Sequence, residues 1–137
     1  MSTKLQKDDL SVAVLSGGKS SRMNYEDKGL IEFNGFSVLS RIIKLSNKYS
    51  NDVFIITNDN LEEYEKLHPY LYSDILDNYQ GPLSGIYTAL SKSKNRYVII
   101  LPCDGPFVKE DYFEKFINYK SNQHILVTKT GDRLQPV

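Results

Sequence analysis

The sequence predicts an α/β fold: a three-layer, Rossmann-like domain built on a mostly parallel sheet. Three observations predict it. Four runs rich in Val and Ile, at Val12–Leu15, Val53–Thr57, Tyr97–Leu101 and Ile125–Thr128, are nearly continuous rather than alternating. That is the pattern of strands covered on both faces. Amphipathic helical stretches separate the runs, so the order reads β-α-β-α-β-α-β. The polar residues able to do chemistry come directly after strands, which is where open parallel sheets bind ligands.

The elements follow in order. Residues 1–10 are polar and mixed in charge and are expected to form a frayed tail, with 11–137 as one domain. Val12–Leu15 reads as a buried strand. Asn34-Gly35 is a tight-hairpin signal between Leu30–Phe33 and the next helix. That helix carries the apolar stripe Leu39, Ile42, Ile43 and Leu45, with Ser37 as its N-cap. Val53–Thr57 is the second strand, and Leu61–Leu67 suits a short helix. Gly81-Pro82 opens a third helix, with Pro82 at its first position and Ile86 and Leu90 expected to face inward. Tyr97–Leu101 is the third strand. Phe113, Phe116 and Ile117 mark a fourth helix, with Glu110 and Asp111 in its first turn, where the helix dipole favours acids. Ile125–Thr128 is expected as the last strand.

Composition narrows the function. The chain has 137 residues, enough for one domain with a real core. Lys+Arg and Asp+Glu are 17 each, so nothing attracts nucleic acid or an anionic membrane in bulk. No apolar run is long enough to span a bilayer. The N-terminal stretch fits neither a signal nor a transit peptide. A single cysteine, Cys103, excludes an internal disulfide framework, and the expected location is cytoplasmic. Cys103 has no histidine at a recognisable spacing and reads as a small buried residue. His68 and His124 have no partner at metal spacing and read as structural.

The most informative stretch is Leu15-Ser16-Gly17-Gly18-Lys19-Ser20-Ser21-Arg22-Met23, followed by Lys28. A strand that empties into adjacent glycines and then basic and hydroxyl residues suits a phosphate-holding loop. Glycines let backbone N–H groups approach an anion closely. Lys19, Arg22 and Lys28 can neutralise phosphate charge. The P-loop pattern fails, because Ala13 stands where its first glycine is needed. The dinucleotide fingerprint fails for want of a third glycine. The plain alternative is a glycine turn before a solvated basic loop.

Other strand ends carry candidates. Asp104, between Pro102 and Pro106, suits a metal ligand: Mg²⁺ is commonly held by one or two carboxylates and completed by substrate phosphates. Asp104-Gly105 is equally ordinary turn chemistry. Asn58 offers donors and acceptors together and could read a base edge, or be a turn residue in Asn58-Asp59-Asn60. Asp74 and Asp77 suit a ligand hydroxyl or base edge, or a plain acidic loop. Gly85, early in its helix, implies either close ligand approach or close helix–sheet packing.

Three blocks together resemble one family. They are Leu15-Ser16-Gly17-Gly18 through Arg22-Met23 to Asp27-Lys28-Gly29-Leu30, then Gly81-Pro82-Leu83-Ser84-Gly85-Ile86, then Pro102-Cys103-Asp104-Gly105-Pro106-Phe107. The set is similar to the molybdenum cofactor guanylyltransferases. Asp132-Arg133-Leu134-Gln135-Pro136 is similar to a fourth segment of that family, Gly-Arg-x-Gln-Pro. The likeness runs from about Val12 to the last residue. It implies the nucleotidyltransferase version of the fold, and transfer of GMP from GTP to molybdopterin with release of pyrophosphate. By matching positions it implies that Leu15, Ser16, Gly17 and Gly18 meet the nucleotide, with Pro82 and Leu83 nearby. Lys28 would meet the phosphates, Asn58 and Asp74 the guanosine, and Asp104 both Mg²⁺ and the nucleotide. Arg22, Lys28 and Asp104 would be the catalytic charges. Other molybdenum cofactor biosynthesis proteins or recipient molybdoenzymes are implied partners.

The sequence departs from the family in three places. Ser16 replaces the usual alanine, and Asn24 stands where a glycine commonly follows Arg-Met. The chain stops just after Gln135-Pro136, so the portion expected beyond it is lacking. A relative using CTP, a sugar-phosphate nucleotidyltransferase, and a shortened non-catalytic nucleotide-binding module are the alternatives.

Overall fold

A computed structural model describes residues 4–16, 30, 32–58, 61–76, 82–103, 109–118, 125–130 and 132–135. Its main sheet has four parallel strands in the order β5-β4-β1-β6: β1 (Leu10–Leu15), β4 (Asp52–Ile56), β5 (Leu71–Tyr72) and β6 (Tyr97–Pro102). Alternate residues of β1 and β4 point into two separate cores, which explains the continuous apolar runs. Val12, Val14, Val53 and Ile55 join one core with Tyr64, Phe113 and Ile117. Ala13, Phe54 and Ile56 join the other with Ala89. Helices therefore cover both faces and make three layers.

The local elements follow their chemistry. β2 (Glu32–Phe33) and β3 (Phe36–Ser37) form the expected hairpin, turned by Asn34 at φ 53° and Gly35 at φ 82°. Positive φ at both central residues is what such a turn requires. Ser37 then caps α1 (Val38–Ser46), its side chain accepting the Ser40 N–H at 3.0 Å. Leu39, Ile42 and Ile43 are buried as their spacing predicts. The short helix α2 (Leu61–Leu67) buries Tyr64 completely. The last helix, α4 (Glu110–Asn118), buries Phe113 and Ile117 and keeps Glu110 and Asp111 in its first turn. His68 is structural: its Nε2–H donates to the Val53 carbonyl at 2.6 Å. Among the described residues no helix is long and apolar enough to cross a membrane.

Four expectations need correction. The expected tail is tied down from Lys4 onward, with the Asp9 N–H bonded to the Gln6 carbonyl at 3.0 Å and Leu5 packed on the core. In α3 (Pro82–Lys92) the buried residues are Ser84, Gly85, Thr88 and Ala89, while Leu90 is exposed. Small residues face the sheet because the helix lies close to it. A Cβ added at Gly85 would sit 3.1 Å from Leu15 Cδ2, so Gly85 serves helix–sheet packing. Cys103 is half-buried rather than buried. Ile125–Val127 is not a strand. The pairing falls later, between β7 (Thr128–Thr130) and β8 (Arg133–Gln135), which are antiparallel and separate from the main sheet. Thr130 pairs with Arg133, so pairing between near neighbours in the chain overrides the apolar run.

Candidate functional site

Strand register brings the candidates to one edge of the sheet. Leu15 pairs with Ile56 on one side and with Pro102 on the other, and Ile56 pairs with Tyr72. These residues form one line across the C-terminal ends of all four strands. Ser16, Asn58 and Asp74 each follow within two residues of it. The backbone continues the line for one more step: Ser16 N–H donates to the Ile56 carbonyl at 2.8 Å, and Cys103 N–H donates to the Leu15 carbonyl at 3.0 Å. Thr57 N–H donates to the Tyr72 carbonyl at 3.0 Å.

Asn58 and Asp74 touch. The Asn58 amide Nδ2 donates to Asp74 Oδ2 at 2.9 Å, and the Asp74 backbone N–H donates to Asn58 Oδ1 at 2.9 Å. The next residue is fixed as well: Ile75 N–H donates to Thr88 Oγ1 at 3.0 Å, and Thr88 Oγ1 donates to the Ser84 carbonyl at 3.0 Å. Asp74 is thus half-buried and anchored to α3, not part of a loose acidic loop. Its second oxygen, Oδ1, is buried with no hydrogen-bond partner among the described residues, and so is Ser84 Oγ. An unpaired buried acceptor is costly, and a ligand donor would satisfy it.

Ser16 enters the site differently from the expectation of a purely backbone role. Its hydroxyl is hydrogen-bonded to the Tyr64 hydroxyl. Tyr64, Ser84 and Thr88 are residues that the sequence did not single out. For Tyr64 a signal existed: it is the lone aromatic in the helix Leu61–Leu67, flanked by charged residues on both sides. Leu83 is 73% exposed at the start of α3, and the backbone of Pro82 precedes it at the first helical position. Gly17, Gly18, Lys19, Arg22, Lys28, Asp77, Asp104 and His124 lie outside the described residues. Among the described residues no group of three His, Cys, Asp or Glu side chains could hold a metal.

The family model for the MobA-like NTP transferase domain matches residues 12–137. The chain belongs to this family. It is 42% identical over 127 residues to a relative of Clostridium perfringens (strain 13 / Type A) named as a probable molybdenum cofactor guanylyltransferase. That match takes in 93% of this chain and 63% of the relative, so the MobA-like domain spans under two thirds of that protein's length. It is 36% identical to the molybdenum cofactor guanylyltransferase of Vibrio cholerae serotype O1, over 97% of this chain and 66% of that one. Among solved structures, a protein of Aquifex aeolicus VF5 superposes with TM-score 0.64 at 24% identity, covering 85% of this chain and 61% of that one. A CMP:2-keto-3-deoxy-manno-octonic acid synthetase complexed with CTP superposes with TM-score 0.63 at 14% identity, over 78% and 45%. The four-stranded parallel sheet of this MobA-like domain is thus the Rossmann-like nucleotidyltransferase fold.

Proposed function

We propose that this chain carries the nucleotide-handling part of a guanylyltransferase that moves GMP from GTP to molybdopterin. The observation that carries the reading is the Asn58–Asp74 clasp at the strand edge beside Ser16, in a chain whose relatives are named molybdenum cofactor guanylyltransferases. Asp74 Oδ1 is an acceptor without a donor among the described residues. Guanine offers an exocyclic amino donor that adenine lacks at the same position, which favours GTP over ATP.

In the proposed reaction a terminal phosphate oxygen of molybdopterin attacks the α-phosphorus of GTP. One P–O bond forms, the bond to the β-phosphate bridging oxygen breaks, and pyrophosphate leaves. No protein nucleophile is needed, because the acceptor phosphate is one. Lys28 and Arg22 are proposed to neutralise charge on the phosphoryl oxygens and the leaving group. Asp104 fits a Mg²⁺ ligand in donor type and chain position: the Cys103 N–H that precedes it is bonded to the Leu15 carbonyl, at the mouth of the glycine loop. The ion, when bound with the substrate phosphates, supplies further charge neutralisation. Asn58 and Asp74 hold the nucleoside, and the backbone around Ser16 lines its approach. A cytoplasmic location goes with these substrates.

The residues assigned to GTP all lie in this chain, so the reading is testable on it directly. Calorimetry with GTP, CTP and ATP in the presence of Mg²⁺ should show GTP binding tightest. Equal binding of the three, or none, overturns the assignment.

A further inference from the structure

We infer that Tyr64 is a positioning residue for the nucleotide site, acting through Ser16. The inference rests on the nucleotide reading above and goes beyond it, since neither hydroxyl has been given a role there. Ser16 is held at three points. Its N–H donates to the Ile56 carbonyl at 2.8 Å, and the carbonyl just before it accepts from Cys103 N–H at 3.0 Å. Its hydroxyl is bonded to the Tyr64 hydroxyl. Tyr64 is fully buried, packed in the core with Val12, Val14 and Ile55, so its hydroxyl cannot follow a moving partner.

This arrangement decides what Ser16 can offer a ligand. Its N–H is already donated to β4, so it is not a phosphate donor. Its side chain is turned to α2. Among the described residues nothing is bonded to its carbonyl oxygen, an acceptor, which suits the N–H or O–H groups of a nucleoside and repels phosphate. Ser16 then belongs to the nucleoside side of the site. Tyr64 sits six residues beyond Asn58, on the helix that follows β4. It therefore ties the end of β1 to the helix that follows Asn58 in the chain.

The test uses the 137-residue chain, with Tyr64→Phe, Ser16→Ala and the double variant. Affinities for GTP and GMP with Mg²⁺ are measured by calorimetry, and stability by urea denaturation. Each single variant should weaken GTP binding about three- to tenfold, the worth of one hydrogen bond. The double variant should be no weaker than the worse single, because one bond is lost in all three. The factor should be the same for GMP, since the Ser16 carbonyl serves the nucleoside. Unchanged affinities with a lowered denaturation midpoint would reduce the pair to a structural role and overturn the inference. Additive losses would overturn it also, and a loss confined to GTP would overturn the nucleoside assignment. Ser16→Ala keeps the test open if Tyr64→Phe does not fold. Absence of GTP binding by the unsubstituted chain would sink the nucleotide reading itself, whereas equal affinities of chain and variants sink this inference alone.

Discussion

Asn58 and Asp74, sixteen residues apart, hold each other through two hydrogen bonds of 2.9 Å, one to a carboxylate oxygen and one from a backbone N–H. The clasp joins the ends of two neighbouring parallel strands, β4 and β5. It leaves Asp74 Oδ1 buried and without a partner among the described residues. A carboxylate prepared in this way has one oxygen committed to the protein and one to offer.

Asn58→Ala removes both bonds. One of them is charge-assisted, so the loss should amount to about 1.5–2.5 kcal/mol. If the clasp presents Asp74 to the base, GTP binding should weaken about tenfold or more, at 1.4 kcal/mol per tenfold. Calorimetry checks it. Asp74→Ala should do as much or more, and the double variant should add little to Asp74→Ala, since the two residues act as one unit.

Ser37→Ala should lower stability without touching the site. Its side chain satisfies the Ser40 N–H at the start of α1, and losing a cap of this kind costs about 1 kcal/mol. Urea denaturation should show an earlier midpoint with the slope unchanged, and GTP affinity of the folded protein should stay the same.

The fold was largely legible because it rests on strong local patterns. Continuous apolar runs located β1, β4 and β6, and Asn34-Gly35 located the hairpin. β5 was invisible: two residues, Leu71 and Tyr72, carry no periodicity, and only pairing with Ile55 and Ile56 makes them a strand. The inward face of α3 was misread because hydrophobicity pointed to Ile86 and Leu90. Close approach to the sheet instead selected Ser84, Gly85, Thr88 and Ala89. The strand-end location of the site was legible from topology alone, and register places Leu15, Ile56, Tyr72 and Pro102 on one line. The Ser16–Tyr64 and Ile75–Thr88 bonds were not, because each joins residues far apart in the chain through a single atom.

Acid stability should depend on Glu114. The Tyr49 hydroxyl, followed by Lys4, holds its carboxyl below the ordinary value of 4.5. A depressed carboxylate stabilises the fold above the unfolded-state pKa, and that contribution is lost as pH falls through the folded value. Glu114→Gln should therefore be less stable than the parent chain at pH 7, and the difference should shrink below about pH 4.5, the ordinary carboxylate range. Denaturation midpoints measured from pH 7 to pH 3 check this. Because the group is at the surface, the effect should also diminish in high salt.

Gly85→Ala separates packing from binding. Alanine favours the helix over glycine by about 1 kcal/mol, which should hold or raise the denaturation midpoint. The added Cβ would meet Leu15 Cδ2 and Cδ1 at 3.1 and 3.2 Å, closer than ordinary contact. The Leu15 side chain must shift, and Leu15 is the last residue of β1 before Ser16. The shift is relayed to the residue that the ties to Ile56 and Tyr64 hold in place. Stability and affinity should thus move in opposite directions: an unchanged or higher midpoint, with GTP binding weakened severalfold. Unchanged affinity would mean that Leu15 gives way without disturbing Ser16, and that the α3–β1 contact serves packing alone.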